Sequence, residues 1–127
     1  MSDIAFDASA LLALMRGEPG ADIIASYLGR AVISSVNVAE VYGRLLRDAF
    51  RPDEFRGLID ALDVQVRAFT EEHAYLAGRM EPATRTLGLS LGDRACLALA
   101  LDLGIPALSG DRQWTQANVG VVIELFR

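Results

Sequence analysis

The sequence predicts an α/β fold with three layers, in which a mostly parallel central sheet of about five short strands carries helices on both faces. Three observations predict it. Short apolar runs alternate along the chain with stretches of helical periodicity. Gly17, Pro19, Gly20, Gly29, Pro52 and Gly104 fall at the ends of these segments and mark their boundaries. Strand and helix segments thus follow one another in turn along the one chain, the order that makes a parallel sheet covered by helices on both faces.

Residues 4–6 form an apolar run that ends at Asp7, and residues 8–15 follow with helical spacing until Gly17, Pro19 and Gly20 break it. A second helix is expected over residues 21–28, stopped by Gly29, and a strand over residues 31–33. Val38, Val41, Leu45 and Phe50 recur near the helical period with Arg44, Arg47 and Asp48 opposite, which predicts an amphipathic helix over residues 37–50. Pro52 sits at the favoured first position of the next helix, which runs to about Leu62, and residues 64–66 form a third strand. Thr70 caps a long helix reaching Leu87, and residues 91–103 form a strongly apolar helix closed by Gly104. Residues 105–108 and 121–125 supply the last strands, with a helical turn over residues 112–117 between them.

At 127 residues the chain has the size of one domain, and no linker, repeat or low-complexity tract divides it, so residues 1–127 are expected to fold as a single unit. The longest apolar stretches are shorter than the roughly 20 residues needed to span a bilayer. The beginning of the sequence, with Asp3 and Asp7 in its first apolar segment, lacks the basic and apolar regions of a secretory signal, so a cytoplasmic location is expected. One cysteine, Cys96, excludes an intrachain disulfide and a thiolate-built zinc site.

The net charge of -5 argues against a broad basic face for nucleic acid. All twelve basic residues are nevertheless arginines, the better bidentate clamp for phosphate. A GC-rich genome would produce the same bias, and composition does not separate the two.

In a sheet of this kind the ligand site lies beyond the carboxyl ends of the strands. Four acids fall there: Asp7 after the first strand, Glu40 in the helix after the second, Asp93 at the opening of the apolar helix, and Asp111 after the fourth strand. Each also sits where a helix cap would, and Asn37-Val38-Ala39-Glu40 and Ser90-Leu91-Gly92-Asp93 both fit a capping box. Capping does not require convergence on one rim, whereas a cation site does. Four carboxylates in one cleft would repel one another unless they shared protons or bound cations. Oxygen donors alone suit Mg²⁺ or Mn²⁺ rather than Zn²⁺. Asp22, Asp48, Glu54, Asp60, Glu71, Glu72 and Asp102 fall on solvated helix faces.

The phrases Asp7-Ala8-Ser9-Ala10-Leu11-Leu12, Asn37-Val38-Ala39-Glu40-Val41, Leu89-Ser90-Leu91-Gly92-Asp93-Arg94-Ala95 and Leu108-Ser109-Gly110-Asp111-Arg112 resemble, in order, the acidic motifs of PIN-domain proteins. The likeness is greatest to VapC-type toxins of bacterial toxin-antitoxin modules. It implies a PIN-like fold and a Mg²⁺- or Mn²⁺-dependent endoribonuclease acting as the toxin of a type II module. It implies that Asp7 and Asp93 are the main metal ligands and that Glu40 and Asp111 complete the catalytic quartet. It further implies an RNA substrate, a cognate antitoxin bound near the site, and a homodimer that assembles into a larger complex with that antitoxin. Ser9 matches the hydroxyl of the first motif, although a hydroxyl there also serves as a helix cap. Arg94 and Arg112 flank two of the acids, and structural or surface pairing is the expected role of both.

Leu11, Leu12, Leu14, Met15, Ile23, Ile24 and Leu28 exceed what two short helices need for one buried face, so they either leave an apolar partner groove or are covered within the chain. Tyr42, Tyr75 and Trp114 are available for base stacking, and burial is the commoner fate of such residues.

Competing functions are disfavoured on specific grounds. Receiver domains and haloacid-dehalogenase-like phosphatases use a lysine beside the phosphoryl group, and this chain has none. Neither a phosphate-binding glycine loop with its lysine nor a dinucleotide fingerprint is present. A hydrolytic triad would need His73, which stands in a helix without a serine elbow and is expected to be half-exposed. The remaining alternative is a PIN-like module that binds a partner without catalysis, and retention of all four acids argues against it.

Overall fold

The computed structural model describes residues 3–49 and 51–127. Five strands, β1 (Ile4–Phe6), β2 (Ala31–Ser34), β3 (Val64–Arg67), β4 (Ala107–Ser109) and β5 (Ile123–Leu125), form one sheet in the order β3-β2-β1-β4-β5, and every pairing is parallel. The helices are α1 (Ala8–Arg16), α2 (Ala21–Ala25), α3 (Ser35–Arg47), α4 (Pro52–Ala61), α5 (Glu71–Arg79), α6 (Glu81–Thr84) and α7 (Leu91–Leu103). None of the described helices is long and apolar enough to cross a membrane.

The period of two in the strands divides the core. Ile4, Phe6, Ala31, Ile33 and Leu108 pack with Leu11, Ile24, Val41, Leu45 and Phe55 from α1 to α4 on one face of the sheet. Ala5, Val32 and Ala107 meet Cys96, Leu97, Ala100 and Trp114 on the other, and α7 is the central helix of that layer. The three-layer α/β architecture is therefore the one the sequence predicts. The chain leaves β1 in one direction to build β2 and β3 and later returns to β1's free side with β4. The crevice above β1 and β4 is thus the topological switch point.

Strands β4 and β5 each begin two residues later than expected, at Ala107 and Ile123, and three helix boundaries differ from expectation, each for a local reason. The long helix from Thr70 does not reach Leu87: α5 ends at Arg79, and α6 and a 3-10 turn over Arg85–Leu87 follow. Pro82 lacks the N–H a continuous helix would use, and its ring would clash with the carbonyl one turn back. Helix α2 stops at Ala25, and residues 26–29 turn to Gly29, whose φ of 94° admits glycine most readily. Helix α3 starts at Ser35, two residues before Asn37, because the hydroxyl of Ser34 accepts from the backbone N–H of Val36 and caps it. Its expected end, Phe50, lies outside the described residues, and the helix closes at Arg47.

The early apolar residues are covered within the chain. Leu11, Leu12 and Ile24 are buried, Leu14, Met15 and Leu28 pack against the same cluster, and only Ile23 stands out, 45% exposed. Trp114 is fully buried, Tyr42 stacks on Phe55 at 4.7 Å between centroids, and Tyr75 projects into solvent.

Candidate active site

Asp7 follows β1 directly and is the N-cap of α1, its Oδ1 accepting from the backbone N–H of Ala10 at 2.8 Å. It is 3% exposed. The hydroxyl of Ser9 approaches both carboxylate oxygens, at 2.7 and 2.9 Å, and Ser109 donates to Oδ2 at 2.6 Å. Ser9 is not the helix cap that its position allowed, since Asp7 itself takes that role. Its oxygen accepts instead from the backbone N–H of Gly110 at 3.1 Å, tying α1 to the loop after β4. Burial pushes the Asp7 carboxyl up from 3.8 to about 6. The bonds from Ser109, Ser9 and Ala10 oppose that rise, and the charge of Asp93 adds to it.

Asp93 is the third residue of α7 and is half-buried. Its Oδ2 accepts from the backbone N–H of Ser90 at 2.9 Å while Ser90 Oγ accepts from the N–H of Asp93 at 3.1 Å, which is the reciprocal capping box the sequence predicts. Burial again raises its carboxyl, against the two Ser90 bonds, with a further push from Asp111. Asp111 is exposed, caps the 3-10 turn Arg112–Gln116, and accepts from the N–H of Gln113 at 2.9 Å. Its own N–H donates to Ser109 Oγ at 3.0 Å, so one serine joins the first and fourth acids.

Glu40 is not part of a capping box. With Ser34 as the cap, it falls in the second turn of α3, exposed, and its Oε1 accepts from Asn37 Nδ2 at 2.8 Å. The Asn37 amide also donates to the carbonyl of Gly92 at 2.9 Å, joining α3 to the first turn of α7. All three atoms of the Glu40 carboxylate lie where a side-chain carbon on Gly92 would be.

The structure thus brings the four acids to one rim from four elements. Asp7 responds to Asp93, Asp93 responds to Asp111, and the buried thiol of Cys96 is raised by burial first and then by Asp7, Asp93 and Glu40. Among the described residues no three acidic, histidine or cysteine side chains are grouped closely enough to hold one ion as they stand. Each carboxylate instead accepts from donors of its own chain.

The donor set fits a hard divalent cation. It is all oxygen, its most buried member has a carboxyl pushed up by burial and a like charge, and the nearby Cys96 is fully buried with its thiol held protonated. His73 stands apart from the site. It is buried rather than half-exposed, its Nδ1 completes a capping box with Thr70, and its Nε2 meets Asp102 at 2.9 Å. Asp102 is therefore a partner of that histidine as well as a surface acid. Arg94 is structural: its Nη1 donates to the carbonyl of Ala77 at 3.0 Å.

Ser109 and the amide of Asn37 are the two groups bonded to candidate acids that reading the sequence did not single out. Ser109 stands two residues before Asp111 at a strand end, and its place in the fourth acidic phrase was its signal. Asn37 was visible as a cap, which is not what it does.

A family model for the PIN domain matches residues 4–120, and the chain belongs to that family. Its fold is also that of solved toxin-antitoxin structures. A chain of the toxin-antitoxin complex from Klebsiella pneumoniae superposes with a TM-score of 0.76 at 15% identity, covering 98% of each chain. A chain of the DNA-bound VapBC complex from Salmonella typhimurium gives 0.76 at 14% over 100% of both. VapBC-1 from nontypeable Haemophilus influenzae gives 0.73 at 17% identity over 97% of both. No curated protein matches the sequence.

Proposed function

We propose that the chain is a Mg²⁺- or Mn²⁺-dependent endoribonuclease, folded as a single PIN domain and acting as the toxin of a type II toxin-antitoxin module. The observation that carries the reading is the buried Asp7 carboxylate beside Asp93 at the switch point, with Glu40 and Asp111 on the same rim. Asp7 and Asp93 would hold the cation, and Glu40 and Asp111 would complete the quartet. A divalent ion held there would supply activation of a water for in-line attack on a phosphodiester and stabilisation of the leaving oxygen.

The chain's own groups prepare that chemistry. Ser9, Ser109 and the Ala10 N–H fix the rotamer of Asp7, so its lone pairs do not have to be ordered when a ligand arrives. The capping box holds Asp93 at the start of α7, where the positive end of the helix dipole offsets part of its charge. An RNA substrate is what the resemblance of the four motifs implies. The complexes in which similar folds occur support a cognate antitoxin as partner. A homodimer that assembles further with that antitoxin is what the resemblance of the motifs implies, and the cytoplasm is the place of action that goes with such a toxin.

The test is cleavage of a mixed RNA pool by purified protein with Mn²⁺. Wild type is expected to cleave, and Asp7→Asn and Asp93→Asn to lose cleavage while keeping the fold by circular dichroism. Unchanged cleavage in either variant overturns the site. Absence of cleavage by the wild type at any dose favours a binding module.

A further inference from the structure

We infer that Asn37 and Gly92 are positioning residues for Glu40: the buried Asn37 amide holds its carboxylate from one side, and the missing side chain of Gly92 makes the space it occupies. The inference rests on the proposed metal-dependent nuclease and adds to it a device spanning α3 and α7.

Three observations carry it. Both partners of the Asn37 amide, Glu40 Oε1 and the Gly92 carbonyl, are pure acceptors, so its NH₂ must face them and the orientation is fixed. That orientation leaves Asn37 Oδ1 buried without a hydrogen-bond partner, although the residue is only 1% exposed. A buried carbonyl without a donor is unfavourable. The amide is therefore placed for what it does to Glu40 and α7 rather than for its own satisfaction, as strain at a functional site would be. Finally, any side-chain carbon at Gly92 would collide with the Glu40 carboxylate, and φ at Gly92 is not in the left-handed region, so backbone conformation does not require glycine there. Space for the carboxylate does.

An exposed glutamate on a helix would otherwise sample several rotamers. The amide and the cleft at Gly92 restrict it to the rim it shares with Asp7 and Asp93. Removing either restraint loosens Glu40 without removing a carboxylate.

The test is a double-mutant cycle read by Mn²⁺ affinity in titration calorimetry, with RNA cleavage as a second readout. Asn37→Ala and Gly92→Ala should each weaken Mn²⁺ binding and kcat/KM by about tenfold to a hundredfold. Both should melt within a few degrees of wild type, because Ala is at least as good a helix former as either residue. In a Glu40→Ala background, Asn37→Ala should weaken Mn²⁺ binding by less than about twofold, since a residue acting through Glu40 has nothing left to position. Equal losses with and without Glu40 would overturn the inference, as would wild-type affinity and cleavage in both single variants. Gly92→Ala keeps the test decisive if Asn37→Ala fails to fold. Asp7→Asn separates the two levels: retained Mn²⁺ binding and cleavage there refute the site itself, whereas their loss alongside wild-type behaviour of the Asn37 and Gly92 variants refutes only the positioning role.

Discussion

The starts of α3 and α7 read almost alike in the sequence, and they are built differently. Each offers a cap-like residue followed three positions later by an acid, Asn37 to Glu40 and Ser90 to Asp93. At α7 the box closes, and the Asp93 carboxylate serves the helix as well as the rim. At α3 the cap is Ser34, one turn earlier, and Glu40 has no duty to its own helix end. The difference separates two kinds of candidate acid. Asp93 has a structural reason to be where it is, and Glu40 is held only by neighbours from the site. An acid that caps nothing, lies over a glycine and takes a buried amide is the stronger sign of function, although it is the more exposed of the two.

Cleavage gives the largest effects by which this comparison can be broken. Asp7→Asn and Asp93→Asn should each lower kcat by at least about a hundredfold, and chelation of divalent ions with EDTA should do the same to wild type. A wild type that cleaves fully in EDTA would make the shared rim irrelevant to catalysis.

Stability against pH gives the next largest effect. The folded Asp7 carboxyl titrates at about 6 against 3.8 in the unfolded chain, so the folded state binds more protons between those values. Stability contributed by this group is therefore greatest below about pH 4, falls as pH rises to about 6, and is level above it. The difference of roughly two units amounts to about 3 kcal/mol. In EDTA at pH 7, Asp7→Asn should be more stable than wild type by up to that amount, and the gap should close by pH 4. Urea titrations at several pH values measure it. Constant stability of both proteins across the window would show that Asp7 is not held ionised in a buried site.

The caps give a smaller effect. Ser34→Ala and Ser90→Ala should each destabilise the protein by about 1 kcal/mol in urea unfolding. Only Ser90→Ala should also weaken Mn²⁺ binding, because only there does the cap hold an acid of the rim. Equal binding losses in the two would erase the distinction between α3 and α7. Smallest of all is the exposed pair Arg85 and Glu81, four residues apart, where Arg85→Ala should leave the melting temperature within error.

Much of the fold was legible because glycine and proline mark its boundaries. Gly17 and Gly104 stop segments where the periodicity already ends, and Pro52 opens α4. The break after Arg79 was missed because residues 70–87 keep a helical pattern through Pro82, and the proline was its only warning. The start of α3 was misplaced because Ser34, Ser35 and Asn37 are all good caps, and the strand register rather than propensity selects among them. Of the candidate acids, Asp7, Glu40 and Asp111 were singled out by their place after strands and Asp93 by its place at the opening of the apolar helix. Ser109 and Asn37 were not, because neutral polar residues are common at helix and strand ends. Their significance comes from partners far away in sequence, Asp7 for Ser109 and Gly92 for Asn37. His73 was misjudged for the same reason, since its partner Asp102 lies on another helix.

The most direct measurement is anomalous scattering from crystals of the protein soaked in Mn²⁺. The account predicts a manganese peak between the Asp7 and Asp93 carboxylates, with Glu40 and Asp111 within reach directly or through water, and no such peak in Asp7→Asn. A saturating soak that leaves this rim without manganese, in a protein that cleaves RNA with Mn²⁺ in solution, would contradict it.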